Sequence, residues 1–229
     1  MFLYGKYAIR FGGKIKKEAF AFFTKTDMET LETKEVTVRS EKNPSARYYH
    51  STVYYRRKMY VFGGKNGKKY LNDTWAFNFE TEKWEELEAV GNIPYPRIKH
   101  SLHFYPSDTQ NRLILFGGKN GSIYYNDSIS FFNLGGNRWS SMTLQSVGYQ
   151  DFHPVLEKIS CHSSFLFHNK LFVFGSFSGF EEENLRCPSI VASCGSKKKN
   201  YFNSIYFYFF FVFFFIFFIY RNSSISFSF

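Results

Sequence analysis

The chain has 229 residues, of which 22% are aromatic, and its formal net charge is +10. This length is enough for a sizeable core, and the positive charge favours acidic partners without deciding the fold. Cys161, Cys187 and Cys194 match no close-spaced zinc pattern, so the composition argues against a scaffold held by disulfides or zinc, and we expect no metal and no cofactor.

The first thirteen residues, MFLYGKYAIRFGG, differ from a secretory signal. They have no basic start followed by a continuous apolar stretch and a small-residue cleavage site. We therefore expect a cytoplasmic protein, and we interpret residues 1–13 as part of the first copy of a repeat.

The repeat is clearest where the segment from Lys58 to Trp84 recurs, with changes, from Arg112 to Trp139. Its copies follow the diglycines Gly12-Gly13, Gly63-Gly64 and Gly117-Gly118, with a weaker fourth at Gly175-Ser176. A period of about fifty residues indicates an array of similar units rather than one compact domain.

Each complete copy contains four short runs of β-branched and aromatic residues separated by turn residues, which is typical of strands. In the second copy the runs are His50–Tyr55, Lys58–Phe62, Thr74–Asn78 and Lys83–Leu87. In the third they are His100–Tyr105, Arg112–Phe116, Ser128–Phe132 and Arg138–Met142. Four short consecutive strands predict an antiparallel meander, and radial repetition of such meanders predicts an all-β propeller.

These residues resemble the Kelch repeat over roughly residues 1–180. An aromatic residue precedes a tryptophan by seven positions in Phe77 and Trp84, and again in Phe132 and Trp139. The segment before the first strand carries an Arg-x-x-His-Ser pattern, represented by Arg47, His50, Arg97, His100 and, in the fourth copy, His162 alone. The resemblance implies a non-catalytic binding module. It also implies an alternative, a propeller that supports an oxidase or a sugar-acid isomerase.

The repeated motif residues are predicted to be structural. Glycine permits positive φ and close approach, so the diglycines are expected where the backbone bends near a neighbour. The Phe and Trp residues are expected to fill the wedge between adjacent blades. The histidines are expected to hydrogen-bond to the backbone of the neighbouring blade, and Arg47 and Arg97 to join blades.

The array is expected to be incomplete. Residues 1–184 predict a partial propeller of about three to four blades, two complete and two partial, and neither end is polar enough to serve as a cap. Three interpretations follow: another chain supplies the missing blades, the open arc is tolerated, or the sequence is a fragment of a longer protein. The fragment is favoured.

The C-terminal part is predicted to be a linker over residues 185–200 and a Phe-rich hydrophobic tail over residues 201–229. Ile205–Tyr220 consists only of Phe, Ile, Val and Tyr. Residues 201–220 reach the length of a transmembrane helix, which would give a tail anchor with the propeller in the cytoplasm. The alternative is a translated non-coding sequence, because AT-rich DNA encodes such runs.

A binding face is predicted where the loops between second and third strands lie beside the segments joining blades. These loops and segments carry the candidate partner-binding residues Lys65, Lys68, Lys69, Tyr70, Tyr95, Lys119, Tyr124 and Tyr125. They predict an acidic segment of a protein partner. The alternative is that the lysines only solvate exposed turns. No motif for specific nucleic-acid recognition accompanies them.

Overall fold

The computed structural model describes residues 1–107, 110–125, 128–143, 160–167, 170–174, 189–196 and 200–208. Within these residues every regular element is a β-strand. The strands form four main antiparallel sheets in chain order, which we call blades 1 to 4. The all-β propeller-type architecture predicted from the sequence is confirmed.

The first two blades are four-stranded meanders in which neighbours in the sheet are neighbours in the chain. Blade 1 consists of β1 (Phe2–Tyr4), β2 (Tyr7–Ile15), β3 (Glu18–Asp27) and β4 (Thr33–Glu35). Blade 2 consists of β5 (Ser51–Tyr55), β6 (Lys58–Asn66), β7 (Lys69–Asn78) and β8 (Lys83–Glu86).

Blade 3 has the same order with one additional strand, and blade 4 follows it. Blade 3 contains β9 (Val90–Gly91), β10 (Ser101–Tyr105), β11 (Arg112–Phe116), β14 (Ser128–Asn133) and β15 (Arg138–Thr143), with the separate ribbon β12 (Lys119–Asn120) and β13 (Ile123–Tyr124). The short β9 pairs in parallel with β15. Blade 4 contains β16 (Ser163–Phe167), β17 (Lys170–Phe174), β18 (Ser189–Ser196) and β19 (Asn200–Tyr208).

The first strands of the blades lie side by side. Contacts join β1 to β5, β5 to β10 and β10 to β16. Because the later strands of each meander extend outward from the first, the first strands surround a common axis, as in a propeller.

The core lies between consecutive blades, as the wedge interpretation predicts. Ile9 and Phe11 of blade 1 pack with Val61 and Trp84 of blade 2. Phe62 of blade 2 packs with blade 3 in the same way. Blades 2 and 3 thus each bury one side against the next blade and the other side against the blade before it.

The diglycines lie where two connecting segments meet. Gly63 has a φ of +63°, and a Cβ there would lie 3.0 Å from the Arg97 carbonyl oxygen. The amide of Gly64 donates a hydrogen bond of 2.9 Å to the same carbonyl. Close approach to the following blade therefore requires glycine here.

Two details of blades 1 and 4 differ from the sequence prediction. Both were expected to be partial, yet each forms a four-stranded sheet. The predicted linker contains β18 and the start of the predicted tail contains β19, because backbone pairing with β17 continues the sheet without needing the repeat motif. The described residues contain no helix with the length and hydropathy of a membrane span. Residues 209–229 of the tail lie outside the described residues, and its nature stays a prediction.

Candidate functional site: a lysine–tyrosine face

One end of the array combines the loops between second and third strands with the segments that join the blades. Two isolated antiparallel bridges bring these parts together, Tyr48 with Lys65 and Ile98 with Lys119. The connecting segments therefore lie directly beside the predicted binding loops. The predicted adjacency of these loops and segments is present on the described residues, and the binding role of this face stays a prediction.

A buried arginine holds the first of these connecting segments in place. The Arg47 side chain is fully buried and donates hydrogen bonds to Asp73 Oδ1 at 2.8 Å and to Asp73 Oδ2 at 2.7 Å. It also donates to the Gly63 carbonyl at 3.1 Å. Burial alone would raise the pKa of Asp73, but the hydrogen bonds and charge of Arg47 lower that pKa below its ordinary value.

Arg97 holds the next segment with similar backbone contacts. It donates to the carbonyls of Tyr95 and Gly117, each at 3.1 Å. Its guanidinium lies 4.2 Å from the centre of the Tyr125 ring, and Tyr95 stacks on Tyr125 with centroids 5.9 Å apart. Tyr95, which is 70% exposed, thus presents a ring supported from behind by Tyr125 and Arg97.

Four of the predicted binding residues form two similar pairs. Lys65 lies 4.5 Å from the centre of the Tyr70 ring, and Lys119 lies 5.3 Å from that of Tyr124. In each pair, the lysine and the tyrosine lie directly opposite each other on two adjacent strands. Lys68 and Lys69 are exposed at the β6–β7 turn.

Lys14 lies at the end of β2, next to the turn into β3 where the sequence predicts it, whereas sequence reasoning missed its neighbours Tyr48, Tyr49 and Lys99. Lys14 lies 5.5 Å from the Tyr48 ring centre and 5.1 Å from that of Tyr49, and Lys99 also lies 5.1 Å from Tyr49. A hydrogen bond to the Tyr49 side chain raises the pKa of Lys14. We define the lysine–tyrosine face as the set Lys14, Tyr48, Tyr49, Lys65, Lys68, Lys69, Tyr70, Tyr95, Lys99, Lys119, Tyr124 and Tyr125.

A backbone signal marks the missed positions. Tyr49, Lys99 and Cys161 each stand one residue before a repeated histidine and have φ values of 58°, 58° and 60°. The Lys99 amide donates to the Tyr49 carbonyl at 2.9 Å, and the Cys161 amide to the Lys99 carbonyl at 3.0 Å. The residue before each histidine therefore lies beside its counterpart in the next repeat, and its one signal in the sequence is its fixed place before the repeated histidine.

The repeated histidines contact the preceding blade. His100 Nε2 lies 3.2 Å from the Phe62 carbonyl oxygen, and His50 forms a hydrogen bond with the backbone of Phe11. His162 Nε2 instead contacts the Ser101 hydroxyl at 3.0 Å. Burial and the charge of Arg47 lower the pKa of His50 to about 3, and burial and the charge of Arg97 lower that of His100 well below its ordinary value.

His103 of blade 3 has a hydrogen-bonding partner in blade 4. Its Nε2 lies 2.8 Å from the Ser164 hydroxyl. Burial lowers the pKa of His103 to about 4, and burial with the nearby His103 lowers that of His162 to about 4. Both rings are neutral at physiological pH. His153 and His168 lie outside the described residues.

An open cavity of about 470 Å³ lies between the first strands of the blades, beside Tyr48 and Tyr49 of the lysine–tyrosine face. Tyr49, Ser51, His103 and His162 contribute to its wall, and Arg10 of blade 1 lies at its side. The cavity is polar and wide enough to admit a side chain of a partner.

Carboxylates compensate some of the cations of the array. At the end opposite to the lysine–tyrosine face, Lys6 forms ion pairs with Asp27 at 2.9 Å and Glu29 at 3.1 Å, and Arg57 pairs with Glu80. Within the described part of the chain, the lysines of the lysine–tyrosine face form no ion pair with a carboxylate. The nearby Asp73 is already paired with Arg47.

Among the residues that the structure describes, no group of three or more His, Cys, Asp or Glu side chains is placed to hold a metal ion.

Comparison with known proteins agrees with the repeat structure. Residues 1–186 match the family described as the KLHDC2/KLHL20/DRC7 Kelch-repeats domain. Over 134 residues the chain is 31% identical to the leucine-zipper-like transcriptional regulator 1 homolog of Drosophila melanogaster, a match that covers 58% of this chain and 13% of that protein.

Two further similar proteins extend the comparison. The host cell factor homolog hcf-1 of Caenorhabditis elegans is 30% identical over 148 residues, which are 58% of this chain and 18% of that protein. Kelch domain-containing protein 10 of Homo sapiens is 27% identical over 144 residues, which are 60% of this chain and 30% of that protein. The chain thus spans less than a third of the length of these relatives.

Proposed function

This chain belongs to the Kelch-repeat family of β-propeller proteins, and on that premise we propose that it is a non-catalytic protein-interaction module whose lysine–tyrosine face binds an acidic segment of a partner. The observation that carries the proposal is the set of lysines that have no carboxylate partner among the described residues while several of them lie over tyrosine rings.

The paired geometry favours binding over simple solvation. A lysine that only solvates a turn samples many rotamers, whereas Lys65 and Lys119 each have a tyrosine ring directly opposite on the adjacent strand. Ordering these side chains before binding reduces the entropy lost on association. The tyrosines supply rigid apolar area beside the charges.

The charge of the lysine–tyrosine face indicates which kind of partner it would bind. Cations without internal carboxylates leave a positive potential that attracts glutamate and aspartate side chains and raises the association rate. An exposed ring such as Tyr95 adds contact area for residues next to the acidic ones.

The experiment measures the binding of a fluorescent decaglutamate peptide to the full chain by anisotropy, with a decaglutamine peptide as the uncharged comparison. Reversing Lys68, Lys69 and Lys119 to Glu is expected to weaken decaglutamate binding at least about tenfold, because like charges then face the peptide. Affinity should also fall as salt increases.

The matched control reverses three cations at the opposite end, Lys83, Arg138 and Lys170, which start β8, β15 and β17. This control variant changes the net charge by the same amount and should retain most of the affinity for decaglutamate. Equal losses in both variants, or no binding of decaglutamate by the parent chain at low salt, would contradict the proposal.

A further inference from the structure

Blades 2 and 3 enclose an open cleft at the end of the array opposite to the lysine–tyrosine face. Its volume is about 620 Å³. We call it the blade 2–3 cleft, and its lining includes Tyr55, Arg56, Tyr60, Asn111, Leu134 and Gly135. A cleft of this size is in the range of sites that hold small molecules.

The turn between β14 and β15 forms one wall of the cleft and matches the turn between β7 and β8 of blade 2. The Glu80 amide donates a hydrogen bond of 2.8 Å to Asn78 Oδ1, and the Gly135 amide donates one of 2.9 Å to Asn133 Oδ1. Both asparagines are the last residue of their strand, and both turns have the same length. Glu80 and Gly135 therefore occupy equivalent positions.

Smaller residues in the turn of blade 3 leave the cleft open. Blade 2 has the sequence Phe-Glu-Thr at residues 79–81, and Phe79 stacks on Tyr4 of blade 1 with ring centroids 4.9 Å apart. Blade 3 has Leu-Gly-Gly at residues 134–136. Because two of these three residues have no side chain, the turn of blade 3 does not fill the space against blade 2 as Phe79 fills the space against blade 1.

The wall of the cleft that belongs to blade 2 carries a hydroxyl group at a position where blades 1 and 3 are apolar. Tyr60 is the third residue of β6, and the third residues of β2 and β11 are Ile9 and Ile114. The two isoleucines are 1% and 0% exposed, whereas Tyr60 is 8% exposed and lines the cleft. Burial raises the pKa of Tyr60, so its hydroxyl keeps its proton at neutral pH and can donate a hydrogen bond.

An arginine with a left-handed backbone conformation stands beside this hydroxyl group. Arg56 has a φ of 45° in the turn between β5 and β6, where the equivalent turn of blade 1 has Gly5 with a φ of 56°. Arginine adopts this conformation at a cost that glycine avoids, and strained residues are concentrated at functional sites. The Arg56 guanidinium lies 5.2 Å from the centre of the Tyr55 ring, which stacks on Phe104 at 3.8 Å. These contacts hold the guanidinium at the cleft.

The charge of Arg56 is not compensated by the described residues. Arg56 forms no ion pair with a carboxylate in that part of the chain, whereas the next residue, Arg57, pairs with Glu80. Lys58, which also lines the cleft, lies 3.6 Å from Glu85. The turn of blade 3 has a glycine where blade 2 has Glu80, so this turn offers Arg56 no carboxylate.

We propose that the blade 2–3 cleft binds a small organic anion that carries one carboxylate group and several hydroxyl groups. One guanidinium without a counter-ion matches the single charge of a carboxylate and can bind both of its oxygens. The Tyr60 hydroxyl and the side-chain amide of Asn111 supply hydrogen-bonding groups for the hydroxyls of the ligand. The cleft lies at the other end of the array, so the proposal is independent of what binds the lysine–tyrosine face.

The first experiment uses gluconate as the probe and measures its binding to the full chain by isothermal titration calorimetry. Sorbitol, a hydroxylated chain of similar length without a carboxylate, is expected to bind at least about tenfold more weakly. Arg56→Met should also weaken gluconate binding at least about tenfold, because the charge is lost while the length of the side chain is kept. No saturable binding of gluconate, equal binding of sorbitol, or tighter binding of inorganic phosphate than of gluconate overturns the proposal.

Two control variants test whether gluconate binds in the cleft, at about 0.15 M salt so that distant charges are screened. Lys83→Met removes a cation from the same end of the array and should change the affinity for gluconate less than about threefold. The reversal of Lys68, Lys69 and Lys119 to Glu should also retain gluconate binding. A loss in either variant comparable to that in Arg56→Met would assign the binding to general charge and would overturn the proposal.

The second experiment restores the carboxylate that blade 2 has at the equivalent position. A Cβ at Gly135 would lie 3.4 Å from Asn133 Oδ1, which is an ordinary contact, so Gly135→Glu should keep its thermal midpoint within about 2 °C of the parent. This variant is expected to bind gluconate at least about tenfold more weakly, because its own carboxylate competes for Arg56. Unchanged affinity for gluconate in the folded variant contradicts the proposal.

Discussion

Arg47 and Asp73 form a bidentate pair with hydrogen bonds of 2.8 and 2.7 Å, although one belongs to the segment joining blades 1 and 2 and the other to β7. The pair fixes the backbone that carries Tyr48 and Tyr49. The stability of the lysine–tyrosine face therefore depends on a buried contact beneath it.

Removing one partner of this pair should be strongly destabilising. Asp73→Ala leaves the fully buried guanidinium of Arg47 without its counter-ion, and we expect a loss of about 3–5 kcal/mol in the free energy of unfolding. Urea unfolding measures it. Glu85→Ala, which removes the partner of Lys58 in an exposed pair, is the control and should cost about 0–1 kcal/mol. If both variants lose the same small free energy of unfolding, the hydrogen bonds of Arg47 to carbonyl oxygens alone would be sufficient.

A tryptophan between two blades should stabilise the fold only where a neighbouring blade packs against it. Trp84 packs against Phe11 and Phe77 with centroids 4.9 and 5.2 Å apart, so Trp84→Ala should cost about 3–5 kcal/mol. Thr33→Ala changes the matched position of blade 1 and should cost less than about 1 kcal/mol. Both values come from chemical denaturation of the full chain, and a similar cost at the two positions would argue against the wedge.

The diglycine should be intolerant of even one methyl group. Gly63→Ala would place a Cβ 3.0 Å from the Arg97 carbonyl oxygen, at a φ of +63°. Gly67 has a φ of +54° with no atom within 4 Å of the added Cβ, so Gly67→Ala reports the backbone strain alone, about 1 kcal/mol. Gly63→Ala should be clearly more destabilising by differential scanning calorimetry. Matching midpoints for the two variants would exclude a role for close approach.

Acid should destabilise the array through its buried histidines. The pKa of His103 in the folded chain is about 4, below the unfolded value of about 6.5, so the unfolded state binds more protons between these values. Stability is therefore expected to fall as pH decreases from about 6.5 towards 4. His103→Gln, which retains a hydrogen-bonding group towards Ser164, should reduce the slope of unfolding free energy against pH in this window. An unchanged slope would assign the acid sensitivity to other groups.

Part of the candidate site could be predicted from the sequence because its residues lie in the loops of a repeat with known strand directions. Lys65, Tyr70, Lys119 and Tyr124 were identified in this way. Tyr49 and Lys99 were not, since they stand in variable positions and their closeness to each other depends on a left-handed backbone conformation. The link between His103 and Ser164 joins residues of different blades, and no local pattern shows it.

The repeat itself was determined by the sequence: short strands, diglycines, and the aromatic and tryptophan spacing are local patterns that specify a blade and its strand order. Only the tertiary structure decided which side of each blade is buried. The alternation of residues along a strand does not show which of its two sides a neighbouring blade covers. In blade 1 the sequence predicted a partial copy, whereas strand register shows a four-stranded sheet with Arg10 and three threonines on one side. Side-chain direction follows pairing, and pairing is a property of the folded chain.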